Sequence, residues 1–145
     1  MKRPVASPWR RALAAFCLAW LAAGAALAQD PNATAAQAAA RDWLVLIDRS
    51  DAQSSWNAAG KKFRAALTLP GWTDALRKTR TPMGATRSRT AVKTGFQRSF
   101  EGVPDGDYAR VGYATNFANN PQGHESVTLE REVDGKWRVV GYFVR

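Results

Sequence analysis

The periodicity of this chain changes once, at Thr81-Pro82-Met83-Gly84, and that change restricts the folds open to it. Before the turn, apolar residues recur every three or four positions, the spacing of one helical face. After it they alternate, the spacing of a strand with one buried face. Helices first and strands afterwards predict an α+β domain. Its N-terminal helices should pack on the concave face of a curved, mainly antiparallel four-stranded sheet.

On the helical side, Thr34 to Gln37 matches a capping box. Ala36, Ala40, Trp43, Leu44 and Ile47 follow along one face, so a helix is expected from about Ala35 to Arg49. Ser50 to Gln53 repeats the capping pattern and opens a second helix carrying Trp56. Gly60 should close it in the left-handed conformation. Lys61 to Thr68 reads as a helical turn around Phe63 and Leu67, and Pro70-Gly71 as a break. Trp72 to Arg80 resumes helix, with its basic residues near the negative C-terminal end.

On the strand side, Thr86 to Phe100 places Val92, Phe96 and Phe100 on one face and Arg87, Arg89 and Lys93 on the other. Tyr108 to Phe117 alternates again after the turn Pro104-Asp105-Gly106. The closing ESVTLEREVDGKWRVVGYFVR is a hairpin with two possible registers. A two-residue turn at Asp134-Gly135 would set Arg131 opposite Arg138. A three-residue loop, Val133-Asp134-Gly135, sets Glu132 opposite Lys136 and Glu130 opposite Arg138, with Arg131 over Trp137 and Leu129 beside Val139. Favourable cross-strand pairs contribute roughly 0.2–1 kcal/mol each, so the second register is expected to win by about 2 kcal/mol. It directs Val127, Leu129, Trp137, Val139 and Phe143 to the helices. Thr128, Val140, Tyr142 and Val144 then lie on the opposite face, where Val140, Tyr142 and Val144 offer a surface for a second copy.

The N-terminus bears on compartment. Lys2, Arg3, Arg10 and Arg11 precede the apolar run Ala12 to Leu27, and Ala26-Leu27-Ala28 is a small-x-small site. This is the pattern of a secretory signal cleaved after Ala28. The apolar run is short of the roughly 20 residues of a span, so no transmembrane anchor is expected after cleavage. Residues 1–28 are thus expected to leave, and residues 29–145 to form one domain in the periplasm or outside the cell. Cys17, the single cysteine, leaves with the signal. The remainder has no thiol nucleophile, cysteine metal site or disulfide. The formal charge of +9 falls by the four cations lost. Export removes nucleic acid as a partner, which leaves a small molecule or an envelope protein.

Four segments in order, WLVLIDRSDAQSSW, TRTPMGATRSR, FEGVPDGDYARVGYATNF and HESVTLEREVDGKWRVVGYFVR, resemble an exported bacterial family catalogued as domain of unknown function 4019. More broadly, the helices-then-sheet order and the Asp-Gly-x-Trp ending resemble the nuclear transport factor 2-like superfamily. The resemblance implies the fold and export. It brings no catalytic residues, although many proteins of that superfamily enclose a pocket between sheet and helices.

Such a pocket would be lined by Trp43, Ile47, Trp56, Trp72, Val111, Tyr113, Leu129 and Trp137; the helical and strand spacing of the Trp residues favours core packing over a ligand cage. Asp48 and His124 are the candidates for acid–base chemistry. Asp48 sits one residue past the core stripe, and His124 has only Glu125 beside it as an orienting carboxylate. Arg80 and Arg89 flank the TPMG turn and could hold an acid within the fold or bind an anion. Arg87, Arg89 and Lys93 together form a candidate strip for anionic envelope surfaces. No nucleotide-binding loop, zinc-ligand set or nucleophile elbow is present, so no cofactor or metal is expected. The best reading is a non-catalytic binding or interaction module; the alternative is a small-pocket isomerase or lyase using Asp48 or His124.

Overall fold

The computed structural model describes residues 30–145, and the expected signal segment lies outside them. Four helices precede four strands: α1 (Pro31–Asp48), α2 (Ala52–Ala58), α3 (Lys61–Ala66), α4 (Leu69–Thr79), then β1 (Thr86–Gln97), β2 (Tyr108–Phe117), β3 (Gly123–Arg131) and β4 (Trp137–Val144). The sheet is antiparallel throughout, in the order β1-β2-β3-β4. The expected α+β class therefore holds. No helix among the described residues is long and apolar enough to cross a membrane.

The first two helix starts differ from expectation, because an aspartate takes the cap in place of the nearby hydroxyl. Asp30 accepts from the Asn32 N–H at 2.8 Å and starts α1 at Pro31, ahead of Thr34. Proline suits that first turn, where its missing N–H costs nothing. Asp51 caps α2 by accepting from the Ser54 N–H at 2.9 Å, and Ser50 becomes a left-handed link with φ 57°. Pro70-Gly71 lies inside the first turn of α4, which starts at Leu69 after Thr68. Gly60 is not left-handed; its φ is −68°, and its N–H donates to Val139 O at 2.7 Å on the outer edge of β4. It thus ties α3 to the sheet instead of ending α2.

The core lies between α1 and one face of the sheet, called here the inner face. Ala40, Trp43, Leu44 and Ile47 of α1 meet Val111, Tyr113, Val127, Leu129 and Val139, with Phe63, Trp72 and Leu76 closing the side. The two central strands alternate strictly: Ala109, Val111, Tyr113, Thr115, Glu125, Val127 and Leu129 are all buried.

The closing hairpin has the three-residue loop. Gly135 adopts φ 79°, Glu132 N–H donates to Lys136 O at 2.9 Å, and Glu130, Leu129 and Arg131 face Arg138, Val139 and Trp137. Arg131 lies 5.7 Å over the Trp137 ring. The side-chain charges re-pair, however. Arg138 reaches Glu132 (2.9 Å) and Asp134 (2.8 Å), while Glu130 is taken by Lys62 of α3 at 2.6 Å.

Further along β4, a register shift between Thr128 and Leu129 leaves Val140 as an extra residue. A bulge of one residue reverses the facing of everything beyond it. Phe143, expected inside, is 58% exposed, whereas Tyr142 and Val144 point to the inner face beside Val127 and Glu125. The outer apolar surface of Val140, Tyr142 and Val144 expected for a second copy is therefore not formed. A similar shift between Ala91 and Lys93 breaks the expected facing in β1. Arg89 turns inward, and Val92 and Lys93 turn outward.

Candidate functional site

Asp48 ends α1, Arg80 follows α4, Arg89 lies in β1 and Glu125 in β3; the fold gathers all four at one end of the core. Arg89 stands opposite Thr115 on the inner face and forks to both acids. Its Nε and Nη2 donate to Glu125 Oε2 (2.6 Å) and Oε1 (3.2 Å). Its Nη1 and Nη2 donate to Asp48 Oδ2 (2.8 Å) and Oδ1 (2.9 Å). Arg80, 6% exposed, stacks over Phe117 at 4.6 Å and donates to Gly84 O (2.7 Å), Thr86 Oγ1 (2.9 Å) and Asp48 Oδ1 (3.2 Å).

Glu125 has no exposed side-chain surface. Besides Arg89 it accepts from Thr115 Oγ1 at 2.7 Å and Tyr142 Oη at 2.6 Å. Each of the four carboxylate oxygens of Asp48 and Glu125 thus accepts from a cation, and two cations balance two anions. Partial burial opposes the ionisation of Asp48, but the hydrogen bonds from Arg89, Thr86 and Arg80 outweigh it and hold its pKa below the ordinary value. Burial likewise disfavours charge on Arg89, yet its bonds to Asp48 and Glu125 raise its pKa. Tyr142 is pushed up, first by burial and then by the adjacent Glu125 charge, so it stays a hydrogen-bond donor. Ionised, mutually held groups of this kind are poor proton carriers, since a general acid or base must exchange its proton with a substrate at the operating pH.

The expected pocket residues come together as packed core. Trp43, Ile47, Trp72, Val111, Tyr113 and Leu129 are buried in one cluster, with Trp56 and Trp137 packed against it. Trp43 and Trp72 both donate to Ser55, at its carbonyl (2.8 Å) and hydroxyl (2.9 Å), and Trp56 donates to Leu67 O at 2.7 Å. Tyr142 joins this aromatic group to the charge network, its ring 5.4 Å from Trp43. Burial raises the pKa of Tyr113, whose hydroxyl has no partner among the described residues.

The remaining candidates do not converge. His124 is exposed on the outer face opposite Ala114, while its neighbour Glu125 points inward and cannot orient it. Arg87 and Lys93 are exposed, but the inward turn of Arg89 separates them, so the three do not form one strip.

The outer sheet face went unnoticed as a site in the sequence. Two rows cross it: Lys93–Gly112–Ser126–Phe143 and Gly95–Arg110–Thr128–Gly141. Both are uncovered by α1, and α3 with residues 98–107 caps only the end beside Tyr108. There Lys62 donates to Tyr108 Oη at 2.6 Å, and Phe100 packs edge-on to Tyr108 at 5.2 Å. The strand glycines were the available signal, but in a sequence they read only as weak strand positions.

A model of the family described as "Protein of unknown function (DUF4019)" matches residues 39–142. That span runs from α1 through the inner network to Tyr142. A comparison with curated proteins finds no match.

Proposed function

The chain belongs to this family of proteins of unknown function, and from its own residues we propose that it is a non-catalytic interaction module of the cell envelope. The observation that carries this reading is the saturation of Asp48 and Glu125 by Arg80 and Arg89. An acid–base enzyme needs a carboxylate facing a cleft, and none of the five clefts described in this structure is lined by Asp48, Arg80, Arg89 or Glu125. The aromatic residues expected to line an inner pocket fill it instead. The clefts lie on the outer face, at the hairpin and by the N-terminal end of α1.

The nuclear transport factor 2-like reading of the fold belongs to this proposal. It is supported by α1 packed on one face of a bulged four-stranded antiparallel sheet. Export is supported by the basic, apolar and small-residue pattern of residues 1–28, and a periplasmic setting follows from it.

Native mass spectrometry of the protein recovered from a periplasmic extract tests the reading. Co-migration of a polypeptide at fixed stoichiometry is expected. A stoichiometric small molecule, or a turnover lost in Asp48→Asn with the melting curve intact, would overturn it.

A further inference from the structure

Resting on the reading as an interaction module, we infer that the outer sheet face takes an extended acidic segment of a partner polypeptide, with Arg110 as its central contact. Three clefts of about 290, 430 and 450 Å³ adjoin on this face, and Arg110 lines all three. Together they make a trough across the four strands, floored by Gly95, Gly112, Thr128 and Gly141. Three strand spacings of about 4.8 Å make it roughly 14 Å long, enough for about four extended residues.

The glycines are the first argument. None of Gly95, Gly112 and Gly141 has a positive φ. A Cβ would meet nothing within 4 Å at Gly95, Val92 at 3.8 Å at Gly112, and Thr128 at 3.6 Å at Gly141. Neither backbone conformation nor packing within the chain requires glycine there. A glycine in a strand forfeits stability that alanine would keep, and it marks places where another chain approaches closely.

Charge is the second. The exposed Arg110 stacks on Phe100 at 5.3 Å, and no carboxylate among the described residues pairs with it. Lys93 stands at the β1 end, also without an ion pair among the described residues; Lys62, at the α3 end, is held by Glu130. Glu101 is the one acid on the rim of the three clefts. The guanidinium fork fits carboxylates, and the exposed Phe143 and Val92 offer apolar contacts between them. A second copy would bring Arg110 and Lys93 against their own counterparts. A bilayer surface is flat and does not enter a trough whose floor is Gly95, Gly112 and Gly141, whereas an extended chain can.

The test is fluorescence anisotropy of the protein as recovered from a periplasmic extract, with a labelled hexapeptide alternating Glu and Leu. The same peptide with Lys for Glu, and phosphatidylglycerol vesicles, serve as the other arms. The acidic peptide should bind and the basic one should not. Arg110→Ala should weaken binding by about tenfold or more, as expected for losing charge-assisted hydrogen bonds. Gly112→Val, which fills the floor, should weaken it similarly with the melting temperature retained, and Arg87→Ala, outside the trough, should change nothing. The inference is overturned by no binding of the acidic peptide, by equal binding in all variants, by equal loss in Arg87→Ala, or by Arg110-dependent binding to vesicles alone. A polypeptide retained in native mass spectrometry and indifferent to Arg110→Ala would remove this site while leaving the interaction-module reading in place.

Discussion

Replacing Arg89 with alanine isolates what the inner charge network contributes. Arg89 makes four of the network's hydrogen bonds, two to each acid. Asp48 would keep Arg80 and Thr86, and its side chain is 28% exposed, so water can replace part of what it loses. Glu125 has no such recourse. Its side chain is fully buried, and the hydroxyls of Thr115 and Tyr142 would be its remaining partners. Stranding a buried charge by removing its partner costs about 3–5 kcal/mol. At roughly 3–5 °C per kcal/mol for a domain of this size, Arg89→Ala should melt about 10–20 °C below the wild type. Since most of that cost is the stranded Glu125, adding Glu125→Gln should recover part of it. A double-mutant cycle in urea should return a coupling of about 2 kcal/mol. A melting temperature within about 3 °C of wild type for Arg89→Ala, or strictly additive effects, would refute the reasoning.

Other consequences can be measured with the same unfolding assays. The folded pKa of Asp48 lies below its unfolded value of about 3.9, so its stabilising contribution is complete above that value and is lost as pH falls through the folded one. Urea melts between pH 6 and 2 should therefore show a smaller acid loss in Asp48→Asn than in the wild type; identical slopes would contradict it. Tyr142 has the opposite sense: its folded pKa is raised, so stability should fall as pH rises above the unfolded value of about 10, and less so in Tyr142→Phe. The facing imposed by the β4 bulge predicts that Val144→Ser costs about 1–3 kcal/mol while Phe143→Ser stays within about 0.5 kcal/mol. A reversed order would mean the strand is not bulged in solution. Gly135→Ala should cost about 1 kcal/mol in chemical denaturation, because its φ of 79° is strained for any residue with a Cβ; no loss would argue against the three-residue loop.

Much of the site was visible as parts and invisible as an assembly. Asp48, Arg80 and Arg89 each stand out in the sequence, Asp48 as an acid–base candidate and the two arginines as partners of either an internal acid or an anion. Glu125 entered only as a neighbour that could orient His124, because an acid in an alternating strand beside that residue looks like a solvated position. Its burial follows from the strict parity of β2 and β3, which sends it to the same side as Tyr113 and Val127. The aromatic residues were legible as core because their helical spacing already aligned them. The trough around Arg110 was not, since its floor is made of residues notable only for lacking side chains.

The sequence by itself determined the element types, their order, the hairpin loop and the aromatic core. These rest on local chemistry: periodicity, and the positive φ that Gly135 accepts. Tertiary structure alone decided which residues face inward beyond each bulge. A strand repeats every two residues, so one extra residue at Val140 or near Val92 exchanges the faces of all that follow. Nothing in the alternation announces that insertion; it is imposed by pairing with neighbouring strands. The same pairing brings Asp48, Arg80, Arg89 and Glu125 within hydrogen-bond reach across up to four elements, and leaves Arg110 without an acid.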